Sequence, residues 1–502
     1  MALPGPLDTF LEAVVPAKCN AAPFRGGIEG ENLHARILPR QEWSNPGATT
    51  APVQSPTPRD AHAYARAMTS ALITGLDQEG RGVARIEGKA VFVEGALVGE
   101  RVAIEVHRTK PNYDLARVMK IEAASPARVE PACPHFGVCG GCSLQHLEPA
   151  AQVAVKQRVL EDTLRHIGRV RPAQLMAPIH GPNWAYRQRA RLSVRDVPKK
   201  GGVLVGFHER KSSFVADLRE CAVLPEPISG ALPELRVLIA GLSVRTRLPQ
   251  IELAVGEAPN GPVYALVLRT LAPLTPDDER LLAAFADRRG LHILLQPQGP
   301  ASVRPLHPAE CELAYTLPDF DVRLEFGPTD FTQVNAAMNR VLVRRAMALL
   351  DPQPGESVVD FFCGVGNFTL PIARRGASVT GIEGGAGLVR RARSNAFANG
   401  LEQLARFEVD DLFAVTAASL VTTTGSFDKA LLDPPREGAI ALVKALPPEG
   451  ASRLVYVSCN PATLARDAAV LVHQQGYTLR AAGVANMFPH TAHVESIALF
   501  ER

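Results

Sequence analysis

Apolar and polar positions change rhythm several times along this chain. Residues 1–67 show no sustained helical or alternating pattern. The run Asn45–Asp60 (NPGATTAPVQSPTPRD) cannot bury enough apolar surface to offset its ordering entropy, so a disordered leader is expected. Translation from Met68, or a genuine flexible tail, would give the same pattern. Over 68–122 short alternating runs at Lys89–Val93 and Arg101–Val106, with turns at Glu87–Gly88 and Val98–Gly99, predict a small β-barrel ending near Ile121. The block 123–330 predicts a helix over Glu148–Ile167 and then a β-rich region. From Phe331 to the end, strand and helix patterns alternate: SVVDFF, a helix after Asn367, SVTGIE, a helix through Asn399, ARFEVD, DKALLD, LVYVS and VESIALFE. That alternation predicts an α/β, doubly wound sheet over 331–502.

Composition narrows the class. A chain of 502 residues calls for more than one core. With 46% hydrophobic and 21% charged residues the balance is that of a soluble globular protein. No stretch approaches the roughly 20 apolar residues of a membrane helix, and no signal pattern opens the chain, so a cytoplasmic protein without membrane contact is expected, most simply a monomer. A net charge of +3 neither demands nor excludes nucleic acid, so charge has to be read locally. In the barrel segment Arg101, Arg108, Lys110, Arg117 and Lys120, with Tyr113, suit either a phosphate-tracking surface or a solvated edge strand. Trp184–Lys211 holds eight basic residues against two acids, and Arg187, Arg189 and Arg191 share one face if extended. That spaces positive charges about 6–7 Å apart, close to the phosphate repeat of a single strand. RNA contact is the expectation here, a solvated face the alternative.

The chemistry concentrates at strand ends. In Val358–Leu370 (VVDFFCGVGNFTL) an apolar strand runs into a glycine loop that opens a helix, which lets the backbone approach a ligand. Glu383 ends the next strand 19 residues after Gly364, where a carboxylate can accept ribose hydroxyls. Asp410, after the third strand, is placed to meet an adenine amine, with Asp411 adjacent. Together these resemble a class I methyltransferase; a fold for NAD is the competing reading, and Cys363 is expected to be a packing residue. DKALLDPPREG puts Asp433 at the end of the fourth strand, and LVYVSCNPATLARD puts Cys459 just after the fifth. A thiol makes sense beside a methyl donor if the target is uracil. Carbon 5 is a poor nucleophile until a thiolate adds to carbon 6, and a base must then remove the carbon 5 proton. Glu495, opening the apolar terminal strand next to His493, is the candidate base. Asp433 is placed to bond the uracil edge. An exocyclic-amine methyltransferase would use the D-P-P turn but would need neither Cys459 nor Glu495. A metal-bearing RNA-binding module without catalysis would tolerate changes in GVGN.

Of eight cysteines, Cys133, Cys139 and Cys142 form C-x5-C-G-G-C, and Cys221 is the nearest later candidate for a fourth ligand. Four thiolates satisfy a structural zinc ion or an iron–sulfur cluster, and spacing does not decide between them. Cys19 and Cys311 look uninvolved, with Cys311 expected to be buried.

The barrel segment resembles a TRAM domain. The motifs GNFTLPIA, FTQVN, DPPREG, SCNPATLARD and HVES resemble the 5-methyluridine RNA methyltransferase family over roughly residues 70–502. The resemblance implies Cys459 as nucleophile and Glu495 as base, with S-adenosylmethionine contacts by Gln333, Phe362, Asn367, Glu383, Asp410 and Asp433. It also implies a [4Fe–4S] cluster on Cys133, Cys139, Cys142 and Cys221. Having both barrel and cluster makes the chain most similar to the members that methylate bacterial 23S ribosomal RNA, while relatives acting on transfer RNA usually lack both. A 23S rRNA uridine is therefore the expected target, and transfer RNA the alternative.

Overall fold

The computed structural model describes residues 69–502; the leader expected over 1–67, with Cys19, lies outside them. The first unit is a six-stranded sheet in the order Thr69–Leu72, Arg101–Thr109, Tyr113–Ala123, Lys89–Glu94, Gly82–Ile86, Gly75–Leu76. Inward residues such as Ile73, Val91, Val93, Val102 and Ile104 form its own small core. A second six-stranded sheet is built on the long hairpin of Gln250–Ala258 and Gly261–Arg269, flanked on one side by Arg189–Val197 and on the other by His292–Gln296.

The C-terminal half is built on an eight-stranded sheet. Its strands are β1 (Gln174–Leu175), β2 (Ser357–Phe361), β3 (Ser378–Glu383), β4 (Ala405–Val409), β5 (Lys429–Leu432), β6 (Arg453–Ser458), β7 (Thr478–Ala485) and β8 (Glu495–Glu501). Their spatial order is β4-β3-β2-β5-β6-β8-β7-β1, and only β8 runs against its neighbours. The chain turns outward in both directions from between β2 and β5, so the loops leaving the carboxyl ends of the central strands open on a common crevice. Strand residues alternate between two cores. Val358, Leu431 and Val455 face one, shared with helix Ala336–Leu350 and the central sheet; Val359, Leu432 and Tyr456 face the other. This burial on both faces explains the nearly continuous apolar runs of the strands.

The segment expected as one central region, 123–330, is divided between neighbours. The helix forms over Pro149–Thr163, with a wider turn at Leu164–Gly168, and packs its Val153, Val159, Leu160 and Leu164 into the second C-terminal core. Gln174–Leu175 then adds the edge strand beside β7. The arginine stripe also differs from expectation. Only Arg189 and Arg191 lie on the strand Arg189–Val197. Arg189 turns inward and donates to the carbonyls of Pro328 (2.8 Å) and Asp330 (2.6 Å), so it ties two segments together. Arg191 stays exposed beside Glu252, and Arg187 lies over the Phe207 ring. No helix among the described residues is long and apolar enough to cross a membrane.

Candidate active site

The glycine loop leaves β2 through Phe362, whose φ of 65° is left-handed, followed by Gly364 at 57° and Gly366 at 100°. Such angles turn the chain sharply and aim backbone N–H groups outward. Glu383, ending β3, closes the loop by accepting from Gly364 N (3.2 Å) and Gly385 N (3.0 Å). Asn367 is fixed by Asn339 through paired amide bonds of 2.8 and 3.1 Å and by the Tyr315 hydroxyl at 3.0 Å. Beneath the loop the fully buried Asp360 accepts from Thr369 at 2.5 Å, and burial pushes its carboxyl up to about 8. Cys363 is core. Asp410 is half-buried and accepts from Thr423 (3.2 Å) and Asp411 N (2.9 Å), whereas Asp411 is exposed and caps Phe413 N. The Phe362 and Phe413 rings lie 5.7 Å apart beside it. Gln333 lies half-buried in the loop before Asn335, which caps helix Ala336–Leu350.

The thiol sits next along the edge. Ser458 and Ser496 are register partners in β6 and β8, and the Ser496 hydroxyl donates to Ser458 O at 3.1 Å. Carrying the antiparallel register on by one residue sets Cys459 opposite Glu495. Asn460 caps the following helix, Pro461–His473, and its Nδ2 donates to Arg436 O at 3.0 Å, joining the cysteine turn to the DPPREG turn. Asp433 leaves β5 beside them.

The electrostatics are unusual for so many acids. Burial pushes the Cys459 thiol up to about 11, helped by the charge of Glu495. Glu495 is only 3% exposed, and burial, with Asp433 nearby, holds its carboxyl well above the usual range. Burial lifts Asp433 to about 7. Arg436 is the cation opposing this trend; its Nη2 lies 3.2 and 3.3 Å from the two ring nitrogens of His493, whose own value burial lowers to about 4. Neither Arg436 nor His493 was singled out for a role from sequence. Their signal was adjacency to Asp433 and Glu495 within short motifs.

A second grouping lies elsewhere. Cys133, Cys139, Cys142 and Cys221 line one small cavity of about 20 Å³ together with Phe136, Phe207 and Gln145. A Cβ on Gly140 would come 2.9 Å from His208 O, so the C-G-G-C turn needs glycine to pass this backbone. Burial raises Cys139, lifts Cys142 to about 11 and lifts Cys221 to about 12. Among the described residues no group of three or more His, Cys, Asp or Glu side chains is arranged to hold a metal ion. Cys311 is half-buried rather than buried.

A family model described as tRNA (Uracil-5-)-methyltransferase matches residues 314–502, and the TRAM domain model matches 64–119. A protein of Aromatoleum aromaticum, 23S rRNA (uracil(1939)-C(5))-methyltransferase RlmD, is 60% identical over 437 residues, covering 87% of this chain and 100% of its own. The chain belongs to the RNA uracil-C5 methyltransferase family. The protein of the same name from Nitrosospira multiformis is 58% identical over 434 residues, covering 86% of this chain and 98% of its own. Among solved structures, the Pyrococcus abyssi tRNA (uracil-54, C5)-methyltransferase in complex with S-adenosyl-L-homocysteine superimposes with a TM-score of 0.66 at 25% identity, covering 86% of this chain and 99% of that one. As a family member this chain is an RNA uracil-C5 methyltransferase enzyme, with the class I methyltransferase fold on its C-terminal side and a TRAM domain before it.

Proposed function

We propose that this enzyme methylates carbon 5 of a uridine in 23S ribosomal RNA, using S-adenosylmethionine and a covalent Cys459–uracil intermediate. The observation that carries the mechanism is the β6–β8 register, which sets Cys459 against Glu495 beside Asp433. The Cys459 thiolate adds to carbon 6, and the ring electrons move onto the carbon 4 oxygen as an enolate. Asp433, lifted by burial to about 7 and so in part protonated near neutrality, donates in its protonated form toward the uracil edge and steadies that charge. The donor supplies an electrophilic methyl group, which carbon 5 takes up, and S-adenosylhomocysteine leaves. Glu495 then removes the carbon 5 proton, the C5–C6 double bond re-forms, and the thiolate departs.

The donor reading rests on the glycine loop with Glu383 and on the half-buried position of Asp410 relative to exposed Asp411. Phe362, Asn367 and Gln333 complete the cradle we assign. The target reading rests on the names of relatives that align over their whole length, and the buried site requires the uridine to be flipped out of its RNA. For the four thiols we propose a [4Fe–4S] cluster. They surround a shared cavity, and burial disfavours the free anions of Cys139, Cys142 and Cys221, which a bound metal would compensate. Cys133, Cys139, Cys142 and Cys221 would hold it; its contribution is to fold this region, and no step of methyl transfer passes through it.

Incubation of anaerobically purified protein with labelled donor and unmodified 23S rRNA or transfer RNA, followed by nucleoside analysis, tests the whole reading. Label in 5-methyluridine from 23S rRNA alone is expected. Label from transfer RNA alone would overturn the substrate, and methylated adenine or cytosine would overturn the chemistry.

A further inference from the structure

Residues 486–493 (NMFPHTAH) join β7 to the strand that Glu495 opens, and they are held from outside their own domain layer. Helix Pro149–Thr163 sends in two fully buried side chains. Lys156, 1% exposed, donates to Asn486 Oδ1 (2.7 Å) and Phe488 O (2.8 Å). Gln152 accepts from His490 N (2.8 Å), and its Nε2 donates to Leu144 O and Leu147 O while lying 3.2 Å from His490 Nδ1. The two residues after Cys142 supply the third arm. Ser143 N and Leu144 N both donate to His490 O at 2.9 Å, and Ser143 Oγ accepts from Ala492 N at 3.0 Å. His490 is held at a φ of 64°, left-handed, with the Trp184 ring stacked on it at 3.8 Å.

This is an expensive arrangement for a connecting loop. Both partners of Lys156 are neutral oxygens, and burial without a countercharge lowers its amine to about 7. A non-glycine left-handed residue persists only where its surroundings over-determine it. All of this rigidity is spent on the segment that ends, after Val494, in Glu495.

We infer that Gln152 and Lys156, with the backbone of Ser143–Leu144, form a clasp that positions Glu495 for removal of the carbon 5 proton. The inference rests on the Cys459–Glu495 mechanism proposed above. None of the clasp residues touches the reacting atoms; they act through the loop. Its third arm, Ser143–Leu144, follows directly on Cys142.

The clasp is specific to one step, which gives it a distinctive readout. The full chain is incubated with S-adenosylmethionine and an unmodified 23S rRNA fragment, then quenched, and the denaturation-resistant protein–RNA adduct is followed in time. In Lys156→Met and Gln152→Leu, donor affinity and adduct formation should stay within about twofold of the parent while adduct decay slows by about tenfold or more. In a Trp43→Phe background, Trp184 emission should report the loosened His490. Ser143→Ala, which deletes only the bond to Ala492, guards against misfolding of the buried variants and should slow decay by about threefold. Decay at the parent rate in the folded variants would overturn the clasp. Glu495→Gln separates the two readings: if it slows decay and the clasp variants do not, only the clasp fails. If Glu495→Gln itself decays at the parent rate, the mechanism fails, and the clasp with it.

Discussion

At the glycine loop, Glu383 is already engaged by two backbone N–H groups, Asn367 by an asparagine and a tyrosine, and Asp410 by a threonine and a backbone amide. A short way along the same sheet edge, the carboxyl groups of Glu495 and Asp433 lie at the crevice with no side-chain hydrogen bond among the described residues to offset their burial. The donor side is thus organised before its ligand arrives, as a binding site should be to limit the ordering cost of association. The target side keeps its acids in a state that disfavours charge, as proton transfer near neutrality requires. On the mechanism proposed above, one edge holds a donor cradle beside an acid–base site, and substitutions on the two sides should fail in different ways.

The largest effect belongs to the thiol. Cys459→Ala should abolish turnover and adduct formation while donor affinity, measured by calorimetry, stays at the parent level; methylated product at the parent rate would end the covalent mechanism. Next comes the base. Glu495→Gln should leave adduct formation intact and slow its decay by about a hundredfold or more, within the usual range for a general base. The pH response sharpens this. Because burial raises the Glu495 carboxyl, its basic form grows as pH rises, so adduct decay in the parent should accelerate with pH. In the glutamine variant it should be flat.

On the donor side Glu383→Gln should weaken donor binding by about tenfold to a hundredfold, the scale of lost hydrogen bonds to a charged group. Adduct decay, once the adduct has formed, should not change. A fourth measurement probes the thiol without RNA. Burial lifts Cys459 to about 11, so the thiolate fraction and the alkylation rate by iodoacetamide should rise about tenfold per pH unit from neutrality toward that value. A plateau near neutral pH would mean that the free enzyme already carries a thiolate.

The residues of the proposed catalytic edge stand out in the sequence because each sits at a strand end, next to glycine, proline or a polar cap, where periodicity breaks and a loop must begin. Asp433, Cys459 and Glu495 interrupt apolar runs, and an interruption of that kind has few packing explanations. Other features left no such mark. Strand β7, read as TLRAAGVA, lacks a run of branched residues and was missed. The helix Pro149–Thr163 was visible, but periodicity reports an apolar face and not the sheet it will cover. Lys156 is the sharpest case: one lysine on that helix looks like any solvated charge until the fold buries it against Asn486 and Phe488.

The arginines show the same limit and supply the smallest effects. Alternation placed Arg189 and Arg191 on one face but could not say how much of that face is covered. Arg191→Ala should weaken RNA binding only a few-fold and lower the salt dependence by about one counterion, as for a single phosphate contact. Its partner Glu252 is mostly covered but keeps the bond from Gln250 Nε2 at 2.7 Å, so stability should move little. Arg189→Ala removes donors from two carbonyls in a half-buried position, and should lower the melting temperature while leaving the salt slope unchanged. If the two variants instead shift the salt slope equally, Arg189 reaches RNA in the complex, and the loop at Pro328–Asp330 must release it on binding.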